Sequence, residues 1–403
     1  MSHIRKFICS ALLMALVASC GGTTDRVVAP SSDSVSSSTL ESSEAVATTP
    51  PPAVPTGDLP PPLAGYLDMS GCPTRAVLEV VRAAVGGCVA YVDWADLEPT
   101  RGDFDFSRIE TQLDLVRGWN SNHPDAPIGL RVRVLTGSHS PLWAIDLGGP
   151  HVTISLCGPN ATVPSCAAHR EEAVPRFWTD AFGSAYTEFV SELSNRYSAD
   201  TDLRDIAISR CTTIFDEPMV RTYGQAANAE ALLGAGYTEA ADLACQHQSI
   251  DVMATLFPST YVSQSFSTYE IPTYSNGRYE TVSSDKRAIE LMDYMRASLG
   301  PRAVLGNNEL GRGPGHNDAI YIHEKTLGEP LYYQLDSLDR LTNVLGHPVD
   351  KWLVYADASA TAVDQGASTI EIRGRDYRLD ATEFLAALGD FAPRLRANAP
   401  LSR

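Results

Sequence analysis

Two adjacent carboxylates, Asp216 and Glu217, carry the most chemistry in this chain; they stand just before Pro218 at the end of a run that begins Ile206-Ala207-Ile208. The run is β-branched and follows a polar turn, so it reads as a buried strand. Proline cannot donate to a sheet ladder, so Pro218 ends it. A carboxylate at the C-terminal end of a strand is where an α/β barrel keeps its catalytic groups. Burial and a neighbouring like charge both disfavour ionisation, so one of two close carboxyls keeps its proton toward neutral pH. Strict alternation along a strand turns only one of the two toward a pocket, and the same parity sends Cys211 with Glu217. A solvated loop pair is the plainer alternative. Arg131, Arg133 and Arg210 alternate with apolar residues in strands. Buried guanidiniums need partners, which implies further carboxylates inside the same mouth.

The elements that must position these groups alternate strand and helix. Strands read at 65–69, 88–94, 128–135, 206–218, 261–266, 303–308, 331–335 and 352–356. Helices read at 74–85, from 106, at 177–197, 238–257, 285–297 and 381–388, with apolar residues at helical spacing. An insertion at 148–175 follows the third strand. Eight strands separated by helices from about residue 63 to 403 is the arithmetic of a (β/α)₈ TIM barrel. The competing doubly wound sheet lacks its Gly-rich phosphate loop after the first strand. No histidine or cysteine spacing resembles a zinc site, and no metal or cofactor is expected.

The N-terminal part differs in kind. Residues 1–20 have a basic start (Arg5, Lys6) and an apolar stretch at 7–17 too short to remain as a spanning helix, the pattern of an export signal. Val17-Ala18-Ser19-Cys20 resembles the lipobox of bacterial lipoproteins, which implies lipidation of Cys20 and a lipid bilayer as partner; plain secretion is the alternative. Residues 21–62 are rich in Ser, Thr and Pro, with too little apolar side chain to offset chain entropy, and read as a disordered tether. A net charge of -18 argues against nucleic acid or anionic lipid headgroups as binding partners. Six cysteines lie beyond the signal, and an even count in an exported chain favours disulfides. The sequential pairing Cys72–Cys88, Cys157–Cys166 and Cys211–Cys245 closes the shortest loops. A monomer is expected.

Four stretches stand out: Trp94-Ala95-Asp96-Leu97-Glu98-Pro99, continuing to Gly102-Asp103-Phe104-Asp105-Phe106; Pro141-Leu142-Trp143; Pro175-Arg176-Phe177-Trp178; and Asp216-Glu217-Pro218. Together they resemble clan A glycoside hydrolases, the retaining barrel enzymes that include the family 42 β-galactosidases. The first is similar to a stretch after their second strand. Pro141-Leu142-Trp143 looks like their P-x-W segment, and Pro175-Arg176-Phe177-Trp178 like the approach to their fourth strand. Asp216-Glu217-Pro218 falls where they carry Asn-Glu-Pro, whose Glu is the acid/base. The chain departs from the clan in having Asp216 for that Asn, and in a seventh strand reading Tyr333-Gln334-Leu335-Asp336 where the nucleophilic Glu belongs.

The resemblance implies hydrolysis of a glycosidic bond between two carboxyl groups, with Glu217 as general acid/base. The second carboxylate is expected at Asp336 first, with Glu309 and Asp357 as further candidates. Asp216, Trp94, His139, Trp143, Asn308 and Gln334 are the expected substrate contacts, and Tyr269 and Tyr333 join the tryptophans as stacking platforms for a sugar's apolar face. The alternative is a carbohydrate-binding or cell-wall-associated barrel without the nucleophile. A hinged, two-lobed binding lipoprotein of a transporter is a third reading.

Overall fold

The computed structural model describes residues 59–156, 170–311, 318–336, 338 and 350–400. Eight parallel strands close into a ring: β1 (Gly65–Asp68), β2 (Val85–Asp93), β3 (Gly129–Leu135), β6 (Leu203–Ala207), β7 (Tyr261–Ser265), β10 (Ala303–Leu310), β11 (Leu331–Leu335) and β12 (Ala367–Ile372), with β12 pairing back onto β1. Helices lie between successive strands, so the chain is a (β/α)₈ barrel. The closed ring excludes the two-lobed reading. Two antiparallel hairpins sit in the loops after the third and fifth barrel strands: β4 (Val152–Ser155) with β5 (Glu171–Val174), and β8 (Tyr269–Ser275) with β9 (Arg278–Ser284). Among the described residues no helix is long and apolar enough to cross a membrane.

Each strand's outward side chains bury under the helices. Tyr66 donates to Ser359 at 2.9 Å and packs edge-on to Phe384. The inward side chains fill the barrel in a polarity gradient. Leu63, Leu67 and Val89 make an apolar cluster toward the N-terminal end. Above it the interior is ionic. Arg131 reaches Asp205 at 2.7 Å and Glu371 at 2.6 Å, while Arg133 reaches Glu371 at 2.8 Å and Asp216 at 3.1 Å. The Arg131 guanidinium also lies 4.3 Å over the Tyr332 ring. All five charged groups are buried, so their mutual pairing offsets a desolvation cost of several kcal/mol per ion. The partners expected for Arg131 and Arg133 are thus present. Arg210 instead bonds the Gln248 side chain at 2.7 Å.

Two boundary expectations are corrected. The fourth barrel strand is Leu203–Ala207, and the chain leaves the sheet at Ile208. The β-branched residues beyond it, Ile208 and Ile214, are buried as loop, so burial alone imitated a strand. The eighth strand is not 352–356. Those residues belong to the helix Lys351–Asp364, which Asp350 caps by accepting from Trp352 N at 2.9 Å and Leu353 N at 3.2 Å. Tyr355, Ala358, Ala362 and Val363 face inward at helical spacing, and the true strand is Ala-Ser-Thr-Ile-Glu-Ile from Ala367. Asp357 therefore lies on the exposed side of a helix and not at a strand end.

The disulfides Cys72–Cys88 and Cys211–Cys245 are formed. Cys157, Cys166, Cys20, the export signal and nearly all of the tether lie outside the described residues.

Candidate active site

The loop that leaves β6 is irregular, and its shape comes from ties to four neighbours. Cys211 is bonded to Cys245 on the helix Glu239–Leu256. From the next position on that helix, the Gln246 amide donates to Cys211 O at 3.1 Å and Pro218 O at 2.7 Å, and Tyr269 Oη donates to Pro218 O at 2.8 Å. On the other side, Thr136 and Ser209 exchange hydrogen bonds with the backbones of Ser209 and Val134. Gly137 packs against Thr213, where any Cβ would stand 2.3 Å from a backbone oxygen, and its φ of 60° independently favours glycine.

Because the loop has left the sheet, alternation no longer governs it, and Asp216 and Glu217 both turn into the barrel mouth. Asp216 accepts from Tyr91 Oη at 2.9 Å and Asn308 Nδ2 at 3.0 Å and pairs with Arg133 at 3.1 Å. It thus ties β2, β3 and β10 together across the opening. Glu217 is buried, 7% exposed, and its Oε2 has no hydrogen-bond partner among the described residues. Its nearest cation, Arg221 Nη2, is at 3.5 Å, an ion-pair distance too long for a good hydrogen bond. Burial raises the Glu217 pKa, Arg221 opposes this, and the charges of Asp216 and Glu309 add to the rise. Burial pulls the Arg221 guanidinium down, but Glu217, Glu309 and Glu270 outweigh it and hold its pKa up. Glu270 also accepts from Thr222 Oγ1 at 2.8 Å and Tyr223 N at 3.0 Å, fixing the chain that carries Arg221.

Asp216, Glu217, Asn308 and Glu309 are therefore gathered at one mouth. Glu309 is buried near the end of β10, its backbone N held by Asn307 Oδ1 at 2.7 Å. Asp336 follows β11 next door, buried, with its backbone N on Leu310 O at 3.1 Å. Gln334 is buried on β11 two positions from Tyr332 and on the same inward face. His139 stands 3.2 Å from Asp93 Oδ1; that bond raises its pKa against the pull of burial.

The expected aromatic platforms are largely interior. Trp94 is fully buried among Phe182, Tyr186 and Phe189, with its Nε1 donating to Glu98 at 2.9 Å. Tyr269 and Tyr333 are buried outside the barrel wall, the latter against Tyr321. Trp143 is half-buried, with its Nε1 on Glu98 O at 3.0 Å and Arg101 over its ring. These rings pack because the Trp94–Glu98 turn folds onto the helix Asp180–Tyr197. The open aromatic face belongs to Tyr91, 38% exposed, with its hydroxyl on Asp216. Alternation of Val89, Tyr91 and Asp93 along β2 was the signal that pointed it inward. Arg221 and Glu371 were also missed; both are ordinary charged residues in sequence.

No family model matches this chain, and no curated protein does. Among solved structures, endo-glycoceramidase II from Rhodococcus sp. is 12% identical over 80% of this chain and 76% of its own, with a TM-score of 0.44. A family 10 endo-β-1,4-xylanase from Gloeophyllum trabeum is 12% identical over 77% of this chain and 84% of its own, at 0.42. A β-galactosidase from the Antarctic haloarchaeon Halorubrum lacusprofundi is 14% identical over 83% of this chain and 57% of its own, also at 0.42. At such identities and scores the likeness carries no argument about chemistry, and the barrel stands on its own eight strands.

Proposed function

We propose that this chain is a glycoside hydrolase in which Glu217 is the general acid/base. The observation that carries the reading is the state of Glu217: a buried carboxyl at the C-terminal mouth of a barrel, one oxygen without a hydrogen-bond partner among the described residues, its pKa raised by burial and by two neighbouring carboxylates. A general acid needs that proton at working pH. Glu309 is the carboxylate whose charge reaches both Glu217 and Arg221, which supports it as the second catalytic group. Asp336, on the adjoining strand end, is the other candidate. A separation of about 5–5.5 Å between the working carboxyls implies retention of configuration, and about 6.5–9.5 Å inversion. Asp216 and Asn308, joined to each other, and Gln334 supply polar contacts to a sugar. Lipidation at Cys20 and the tether at 21–62 complete the proposal: an envelope-bound enzyme working on a polysaccharide or oligosaccharide outside the membrane.

The test is cleavage of a glycan panel followed by substitution. Glu217→Gln is expected to lower turnover by about 10²–10⁴ with sugar binding retained; Glu309→Gln and Asp336→Asn identify the partner. A wild-type rate in Glu217→Gln defeats the assignment. One observation favours a non-catalytic carbohydrate-binding barrel instead: β11 ends Gln334-Leu335 and runs into Asp336, with no glutamate there. Sugar bound and never cleaved would establish that second reading.

A further inference from the structure

Near its C-terminal end, β10 carries one residue more than the strand beside it. Asn307 pairs with Tyr333 and Leu310 with Leu335, so three steps on β10 match two on β11. This β-bulge resets the direction of the side chains beyond it. Tyr333 and Leu335 share the face that packs under the helices, so Asn307 and Leu310, paired with them, face the helices too. Strict alternation from Asn307 would instead send Glu309 to the helices and Leu310 into the mouth. The extra residue exchanges the two. Leu310 joins the apolar core, Asn308 reaches Asp216 at 3.0 Å, and the Glu309 charge acts on Glu217 and Arg221. Re-aiming a side chain beside an active site is a recurrent use of such bulges.

We propose that Asn307, braced by Tyr321, is a positioning residue that pins this bulge and so turns Glu309 toward Glu217; the proposal rests on the glycoside reading with Glu309 as its second carboxylate. A bulge takes a backbone N–H out of the ladder, and a buried N–H needs another acceptor. Asn307 Oδ1 supplies it, accepting from Glu309 N at 2.7 Å across a two-residue turn of the kind asparagine makes with its own chain. The carboxamide is itself fixed from two sides. Its Nδ2 donates to Phe266 O at 2.5 Å, just past the end of β7. From outside the barrel, Tyr321 Oη on the helix Asp318–Leu327 donates to the same Oδ1 at 3.0 Å. Asn307 is fully buried in the wall, so its effect on the reaction passes through Glu309. That effect is large in principle: two working carboxyls need a set separation, and a misplacement of about 1 Å can cost roughly 10²-fold in rate.

The test is a double-mutant cycle on the full chain, with 4-nitrophenyl β-cellobioside, β-xylobioside, β-lactoside and β-galactoside as substrates. Asn307→Ala should lower kcat about 10–100-fold and leave KM within about twofold. Tyr321→Phe keeps the ring and removes only the brace, and should lower kcat about three- to tenfold. In the Glu309→Gln background both falls should shrink below about twofold, because a residue acting through Glu309 then has nothing left to position. Falls of equal size in both backgrounds report lost fold and not lost aim, and overturn the proposal. A wild-type rate in Glu309→Gln also overturns it, and leaves the glycoside reading to the Glu217→Gln chain. Where Asn307→Ala does not fold, Tyr321→Phe carries the cycle. Cleavage of none of the four counts against the glycoside reading alone, and crystal structures of the two variants then decide the pin. Glu309 should have moved from Glu217 by about 1 Å or more; a carboxylate still in place overturns it.

Discussion

Replacing Asp242 by asparagine tests whether the floor beneath the loop that carries Asp216 and Glu217 holds a suppressed charge. Asp242 lies in the first turn of the helix Glu239–Leu256, where the helix dipole favours a carboxylate. It is nevertheless 2% exposed, and its Oδ1 has no hydrogen-bond partner among the described residues. Burial dominates and pushes the carboxyl from 3.8 to about 7, against the pull of Gln246, Tyr237 and Arg287. Ionising it in the folded chain therefore costs about 4 kcal/mol more than in the unfolded chain. The sign follows from linkage: the unfolded chain releases this proton first, so the native state is unpenalised below about pH 4. It then loses stability at about 1.4 kcal/mol per pH unit until about pH 7. Asp242→Asn removes the titration and keeps the shape. In urea unfolding, the variant should gain on wild type by up to about 4 kcal/mol between about pH 4 and pH 8. A stability difference that is the same at both pH values would falsify the reasoning. Gln246 joins this aspartate to the carbonyls of Cys211 and Pro218, so the loop after β6 should hold better at alkaline pH in the variant.

Four further outcomes are expected. Arg221 opposes the rise in the Glu217 pKa, so Arg221→Met should move the alkaline fall of kcat/KM to higher pH; a limb that stays put or moves down contradicts Glu217 as the acid. Arg133→Met leaves Glu371 and Asp216 without their shared cation and should cost about 3–5 kcal/mol in urea unfolding, whereas Arg394→Met, whose pair with Asp364 is solvated, should change nothing measurable. Gly137→Ala meets both a left-handed backbone and the Thr213 oxygen at 2.3 Å, and a loss of less than about 1 kcal/mol would mean the loop relaxes freely. Cys211→Ser with Cys245→Ser opens a link spanning 34 positions and should cost about 3–4 kcal/mol; turnover should fall further than sugar affinity, as the kcat and KM of the double variant will tell.

The barrel was legible because parallel strands bury both faces and so appear as short apolar runs, and because arginines set among them in β3 announce carboxylates nearby. Glu217 was legible through its position before Pro218. The manner of its presentation was not. A buried loop tied by a disulfide and by Gln246 has the same apolar, β-branched composition as a strand, and only the geometry of the neighbours tells them apart. The run at 352–356 imitates a strand for a related reason: Trp-Leu-Val-Tyr is as apolar as a buried strand, and only the Asp350 cap before it marks a helix, while Glu371 sits in the strand that follows. Trp94 shows the opposite limit. An indole near a strand end packs inward or outward according to side chains on the helix Asp180–Tyr197, which no local pattern reports, while Tyr91, three positions earlier, holds the open face.

The ionic column inside the barrel also bears on how the molecule is made. Arg131 and its partner Glu371 are 240 positions apart, and synthesis runs at about 5–20 residues per second. For something on the order of 10–50 seconds the nascent chain holds two guanidiniums destined for the core with their main counter-ion still unmade. Strands β1 to β11 have no reason to close before β12 arrives, since a ring shut early would trap Arg131 and Arg133 half-paired. Glu371 acts in effect as the last key of a lock, and a one-position slip of β12 would turn it toward the helices. A chain that ends before β12, or misregisters it, leaves Arg131 and Arg133 without Glu371 in an open interior.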